Sequence, residues 1–340
     1  AEETAATVRR VMEAAAAPTL PGRLGRENRE EGGMSSMVRC GLDSGCRLLV
    51  ASVVWVLLAG LMGSDAAGLS AQEVGPSSGS LVIVGGAMRD PAIRERFVEL
   101  AGGDEARIVV VPTAGGRDEY DNATCGVRGW WQMGVRSVTC VHTIDPSEAD
   151  TDEFLKPIGE ATAVWFNGGR QWRIADSYLG TRAEEAFRGV LERGGVIGGS
   201  SAGATIQGSY LVRGDTGGNT VMMGDHEVGF GYLRNTTIDQ HVLRRNRQFD
   251  LIEVIEAHPE LLGIGIDENT AIVVQGDELE VMGASYVLIY DNQTMVGDGG
   301  RFYFIPPGGR FNLATREANL GGRNPRPMEG IRREPWPTGG

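Results

Sequence analysis

Five short apolar runs, each feeding a helical segment or a turn of small residues, constrain this chain more than anything else in it. Residues 81–84, 108–111, 138–141, 163–166 and 196–197 are apolar almost without alternation, the pattern of strands buried on both faces. The intervening stretches 92–100 and 182–193 carry a helical period instead. In the second, Ala183, Phe187, Val190 and Leu191 share one face, Thr181 and Glu184 have capping-box spacing, and Gly194-Gly195 ends the helix. Such alternation predicts an α/β fold, a mainly parallel sheet with helices on both faces. Ile264 and Ile266, then 271–274, 279–282 and 286–289, add strands in the second half. Sites in open α/β sheets gather outside the carboxyl ends of the strands. That edge would collect Gly85-Gly86, Thr113-Ala114-Gly115-Gly116, Gly168-Gly169 and Ser200-Ser201-Ala202-Gly203.

Charge and leader narrow the setting. A formal charge of −13 over 340 residues repels polyanions, which excludes nucleic acid as a partner. Residues 1–36 are polar and alanine-rich, and are expected to be untranslated or disordered. Residues 37–72 have the pattern of a signal peptide: basic Arg39 and Arg47, an apolar run over 48–62 broken by Ser52, then Ser64, Ala66, Ala67 and Gly68. The run is shorter than the ~20 residues of a membrane span, so export to the periplasm or beyond, without stable membrane insertion after cleavage, is expected. An uncleaved anchor is the alternative. Residues 79–312 then form a single catalytic α/β domain, and the Arg-, Gly- and Pro-rich 313–340 a flexible tail. Cys40 and Cys46 leave with the leader. Cys125 and Cys140 either pair in an oxidising compartment or stay as buried thiols. No Cys and His spacing fits zinc, and no metal or cofactor is expected.

Gly199-x-Ser201-x-Gly203 follows an apolar run and precedes a helix-competent stretch, the context of a nucleophile elbow. There small neighbours permit the tight turn that exposes a serine hydroxyl. A serine needs a base, and the four histidines are His142, His226, His241 and His258. His142 lies beside a strand and His258 precedes a proline, positions of structural or exposed histidines. His226 sits in the polar Asp225-His226-Glu227 without a third metal ligand. His241 follows Ile238-Asp239-Gln240 and would open an arginine-rich helix containing Arg244-Arg245-Asn246-Arg247. For the acid, Asp267 and Glu268 end the apolar run Gly263-Ile264-Gly265-Ile266, and strand alternation aims only one of them at a given face. The order serine, histidine, acid differs from that of α/β-hydrolases.

Phe166-Asn167-Gly168-Gly169-Arg170-Gln171, Gly199-Ser200-Ser201-Ala202-Gly203-Ala204, Asp239-Gln240-His241 and Gly263-Ile264-Gly265-Ile266-Asp267-Glu268-x-Thr270-Ala271 together resemble the cyanophycinase branch of the serine peptidases related to aspartyl dipeptidase. The resemblance covers about residues 79 to 305 and implies a fold like the class I glutamine amidotransferases. It further implies Ser201 as nucleophile, His241 as base and Glu268 as orienting acid. Gly168, Gly169 and the amide of Ala202 would form the oxyanion hole, with Gln171, Asp239, Gln240, Arg245 and Arg247 on the substrate side. Cyanophycinases usually carry a further arginine where Gln248-Phe249-Asp250 stands, which leaves specificity for β-aspartyl-arginine polymer open. The function expected is an exported serine peptidase acting through an acyl-enzyme on a peptide or cyanophycin-like substrate, as a monomer or a homodimer. A dipeptidase or isoaspartyl peptidase on short peptides, and a catalytically silent binding module of the same fold, are the competing readings.

Overall fold

The computed structural model describes residues 73–292 and 301–320; the expected leader and residues 1–36 lie outside them. The apolar runs form strands β1 (Ser80–Val84), β2 (Arg107–Val111), β3 (Ser137–Cys140), β4 (Ala163–Phe166) and β5 (Val196–Ser200). They pair in parallel in the order β1-β5-β4-β2-β3. After β6 (Gly208–Tyr210), β7 (Leu233–Gln240) and β8 (Leu262–Ile266), the strand β9 (Thr270–Gln275) returns to pair antiparallel with β1. β10 (Glu278–Gly283), β13 (Arg310–Asn312) and β14 (Glu317–Asn319) continue this antiparallel side, giving nine strands. The sheet is therefore mixed, and the expectation of a mainly parallel one holds for its first half. A second sheet runs β12-β11-β8-β7-β6, with β11 at Val287–Tyr290 and β12 at Tyr303–Ile305.

Alternate residues of the parallel strands enter two cores. Leu81, Ile83, Val109, Val111, Val164 and Phe166 pack beneath Phe154 and Ile158 of α2 (Asp152–Glu160), Ile174 and Tyr178 of α3 (Gln171–Tyr178), and Phe187 and Val190 of α4 (Arg182–Glu192). Val82, Val84, Ile108, Val110 and Trp165 face Ile93 and Phe97 of α1 (Pro91–Leu100) with Trp130. Each fully buried Ile, Val or Phe contributes about 1.5–3 kcal/mol, so both faces are strongly specified. At the start of α4 the Thr181 half of the expected capping box forms, Oγ1 accepting from Glu184 N at 3.4 Å, while Glu184 accepts from Gly180 N at 2.8 Å rather than from the amide of Thr181. Cys125 and Cys140 form a disulfide across a separation of 15 residues. Closing a loop of that size stabilises by about 3 kcal/mol in the chain-entropy account.

One expectation needs correcting. The chain does not fray at 313: Leu313 is buried, Asn312 Oδ1 accepts from Ala314 N and Thr315 N, and β14 pairs with β13. Only 321–340 of the expected tail lies outside the described residues. β7 went unread in the sequence, because Leu-Arg-Asn-Thr-Thr-Ile-Asp-Gln has no apolar alternation. Thr236 and Thr237 are nevertheless fully buried there, with the Thr236 hydroxyl given to Leu233 O at 3.0 Å.

Candidate active site

β5 turns sharply at Ser201, whose backbone takes φ 59 and ψ −112 before the short helix Ala202–Thr205 begins. This region is costly for a residue with a Cβ, and strain of this kind marks sites where a side chain must be presented at a fixed angle. The turn closes because Gly199 lies against the backbone of Gly203: a Cβ on Gly199 would stand 2.2 Å from Gly203 O. Ser200 ends the strand, so Ser201 alone occupies the apex. Gly168 lies beside it, its Cβ position 3.2 Å from Ser201 Cβ. The amide of Ala202 opens the short helix and has no carbonyl of that helix to bind.

The turn after β1 holds all three parts of the site by its backbone. Successive carbonyls of Val84, Gly85 and Gly86 accept from the N–H groups of Ser201 (3.0 Å), His241 (3.0 Å) and Asn269 (2.8 Å). Segments from the ends of β5, β7 and β8 are thereby aligned on three adjacent peptide units. Gly86, at φ +137, lies so close under the imidazole that a Cβ would meet His241 Cε1 at 2.2 Å.

Ser201 Oγ and His241 Nε2 are 2.9 Å apart, and His241 Nδ1 and Glu268 Oε1 are 2.9 Å apart. A carboxylate at Nδ1 selects the tautomer with the proton there, which leaves Nε2 free to accept the serine hydroxyl. His241 is buried. That burial depresses its pKa below the ordinary imidazole value, and the charges of Arg245 and Arg247 push the same way against the pull of Glu268. The neutral, proton-accepting form is thus favoured. Of the adjacent carboxylates only Glu268 serves the imidazole. Asp267 Oδ1 accepts from Leu243 N (3.1 Å) and Arg244 N (2.8 Å), and its Oδ2 from the Ser285 hydroxyl (2.7 Å).

The substrate-side residues divide. The arginine-rich stretch is not a helix: Arg245 N reaches His241 O at 2.9 Å, Arg247 N reaches Val242 O at 2.6 Å, and helix α5 begins at Asp250 (Asp250–Ala257). His241 itself has φ 57, which a helix cannot accommodate. Arg245 projects exposed, whereas Arg247 is buried and gives Nη1 to Gln240 Oε1 at 3.2 Å. Gln171 is buried with its amide given to Val212 O at 2.8 Å. Asp239, expected beside the substrate, is 0% exposed and is bound fork to fork by Arg213, with Nε–Oδ1 at 2.7 Å and Nη2–Oδ2 at 2.9 Å. Arg213 Nη2 also donates to Asp250 Oδ2 at 2.6 Å, and Nη1 to Asn219 O at 2.9 Å. Sequence reading missed Arg213. Its one signal was an arginine after an apolar pair, which distinguishes nothing. Among the described residues no group of His, Cys, Asp and Glu is arranged to hold a metal ion.

Comparison with known proteins agrees with this architecture. The chain is 32% identical over 223 residues to a cyanophycinase of Geminocystis herdmanii, covering 64% of this chain and 82% of that protein. It is 32% identical over 268 residues to a cyanophycinase of Synechococcus elongatus, covering 70% and 80%. A crystal structure of a peptidase from an acI-B1 Actinobacterium superposes with a TM-score of 0.54 at 23% identity, over 70% of this chain and 98% of that one, a likeness of fold. The pattern of peptidase family S51 matches residues 81–282, more than half of the sequence. The chain belongs to peptidase family S51, the family of the cyanophycinases.

Proposed function

We propose that this protein is a serine peptidase of cyanophycinase type that cleaves an amide bond on the carbonyl side of an aspartyl unit, with Ser201, His241 and Glu268 as its triad. The observation that carries the proposal is the continuous 2.9 Å relay from Ser201 Oγ through His241 to Glu268 at a strained strand end. In this mechanism His241 Nε2 takes the serine proton as Oγ attacks the amide carbon. The oxyanion is met by the Ala202 amide and the Gly168-Gly169 loop. The imidazolium, stabilised by Glu268, gives its proton to the leaving nitrogen as the C–N bond breaks, and an ester on Ser201 remains. Water, deprotonated by His241, then releases the acid and restores the serine. Arg245, exposed near His241, would meet the substrate, with the buried Gln240 and Arg247 pair behind it.

Ser201→Ala is expected to abolish both turnover and labelling by a fluorophosphonate while thermal unfolding stays unchanged, and His241→Ala to be equally severe because triad members act as a unit. Ser200→Ala should be mild. A fully active Ser201→Ala would refute the assignment. Turnover of β-aspartyl-arginine polymer compared with isoaspartyl dipeptides separates the two substrate classes. No helix among the described residues is long and apolar enough to cross a membrane. We place residues 37–72 as a cleaved export signal, which sequencing of the mature amino terminus between about Ala66 and Glu73 would test.

A further inference from the structure

Two strands along the carboxyl edge from Ser201, the loops after β2 and β3 and helix α3 line an open cleft of about 260 Å³ that the proposed triad does not use. Its walls include Arg117, Ile144, Trp172, Arg173 and Asp176. The sheet order β5-β4-β2 fixes its place: Ser201 follows β5, Gly168-Gly169 follows β4, and the loop Thr113–Gly115 follows β2. Two strand spacings are about 10 Å. The three loops touch in series. Ala114 O accepts from Arg170 N at 2.8 Å and lies 2.0 Å from where a Cβ on Gly169 would stand, and the neighbouring Gly168 abuts Ser201.

Arg173 is the centre of this cleft. Its guanidinium lies over the Trp172 ring at 5.1 Å and gives Nη1 to Ala114 O at 3.3 Å. A Cβ at Gly116 would stand 1.9 Å from that same Nη1, so the backbone is shaped to admit the cation. No carboxylate oxygen of the described residues lies within 4 Å of Arg173 or of Arg117. The acidic group on α3 is already engaged, because Asp176 Oδ1 binds His226 Nε2 at 2.7 Å. Asp118 is the remaining anion in the wall. Arg117 and Arg173 face Asp118 and Asp176 across the wall; with Asp176 paired to His226 and Arg117 influenced by the nearby Asp121, Arg173, in no ion pair among the described residues, is the cation beside the aromatic face that can take an anion.

We propose that this pocket is an extended subsite that takes a carboxylate of the substrate two or three residues away from the scissile bond, with Arg173 as the specificity-determining cation. The spacing follows from the 10 Å offset, since an extended chain advances about 3.3–3.6 Å per residue. The inference rests on the peptidase reading for the location of the scissile bond. Its test does not depend on turnover.

Dye-labelled peptides with a central β-aspartyl bond, carrying glutamate or glutamine two or three residues away on either side, are titrated into the Ser201→Ala protein and followed by anisotropy. At least one glutamate peptide should bind about tenfold more tightly than its glutamine partner. Adding Arg173→Gln should bring both to the weaker level, and Arg173→Lys should restore part of the difference. Equal binding of every glutamate and glutamine pair, or an Arg173→Gln loss shared equally by both members, would overturn the subsite. Turnover of the same peptides by the intact enzyme reports separately on the triad: binding that depends on the carboxylate without cleavage would sink the peptidase reading alone.

Discussion

Gly86→Ala tests the active-site reasoning without touching a reacting group. The added methyl would stand 2.2 Å from His241 Cε1 and 2.5 Å from Nδ1, where ordinary contact begins at 3.4 Å. Relief therefore requires the imidazole to move by about 1.2 Å, and it cannot do so while both of its 2.9 Å bonds persist. Misplacing a reacting group by about 1 Å costs on the order of 10²-fold in rate. The backbone at φ +137 adds strain of roughly 1–3 kcal/mol to the stability of the variant. Acylation by a fluorophosphonate, followed under single-turnover conditions at a temperature where the far-ultraviolet spectrum shows a folded protein, measures the first effect, and urea unfolding the second. A folded Gly86→Ala protein that acylates at the wild-type rate would mean that His241 is not the base.

Three further outcomes follow from the electrostatics. The proposed mechanism requires neutral His241, whose pKa is lowered by burial first and by Arg245 and Arg247 after it, against the pull of Glu268. The acid limb of kcat/KM should therefore fall below pH 6.5, and Arg245→Gln should move it to higher pH; an unmoved limb would separate Arg245 from the imidazole. His226 is held between Asp225 and Asp176, whose carboxylates raise its pKa against the cost of its burial. Its folded value lies above the unfolded one, so its contribution is complete below about pH 6.5 and is lost as pH rises through the raised value. The difference in melting temperature between wild type and His226→Gln should shrink accordingly as pH rises, and a constant difference would deny the titration. Arg213→Met leaves Asp239 buried without its cation, which should cost about 3–5 kcal/mol in urea unfolding; a loss under 1 kcal/mol would show that Asp239 finds another partner or a proton.

What the sequence made legible follows physical rules that act locally. Apolar runs buried on two faces, the capping residues of α4 and the glycine spacing around Ser201 depend on near neighbours in the chain, so β1 to β5 and the elbow were readable. The residues of the proposed triad are named by a family resemblance joined to the short supply of histidines. What stayed hidden depends on contacts between segments far apart. Arg213 and Asp239 are 26 residues apart, and nothing local announces that one neutralises the other. β7 can be polar because the Thr236 hydroxyl and the Asp239 carboxylate find partners inside the protein, and helical spacing of arginines after His241 misled because φ 57 at that histidine breaks the helix before it starts.

The three carbonyls that align the site also impose an order in time. β1 is the first strand of the described chain to leave the ribosome, yet it sits between β5 and β9, which are complete only at residues 200 and 275. At ~5–20 residues per second its Ser-Leu-Val-Ile-Val edges wait about six to twenty-three seconds for β5 and about ten to forty seconds for β9. During that interval a five-residue β-forming segment is open to pairing with other chains. The same order leaves the proposed triad incomplete until late in synthesis. Ser201, His241 and Glu268 are added one after another to a turn made long before them, so the proposed triad cannot assemble until residue 268 has been made.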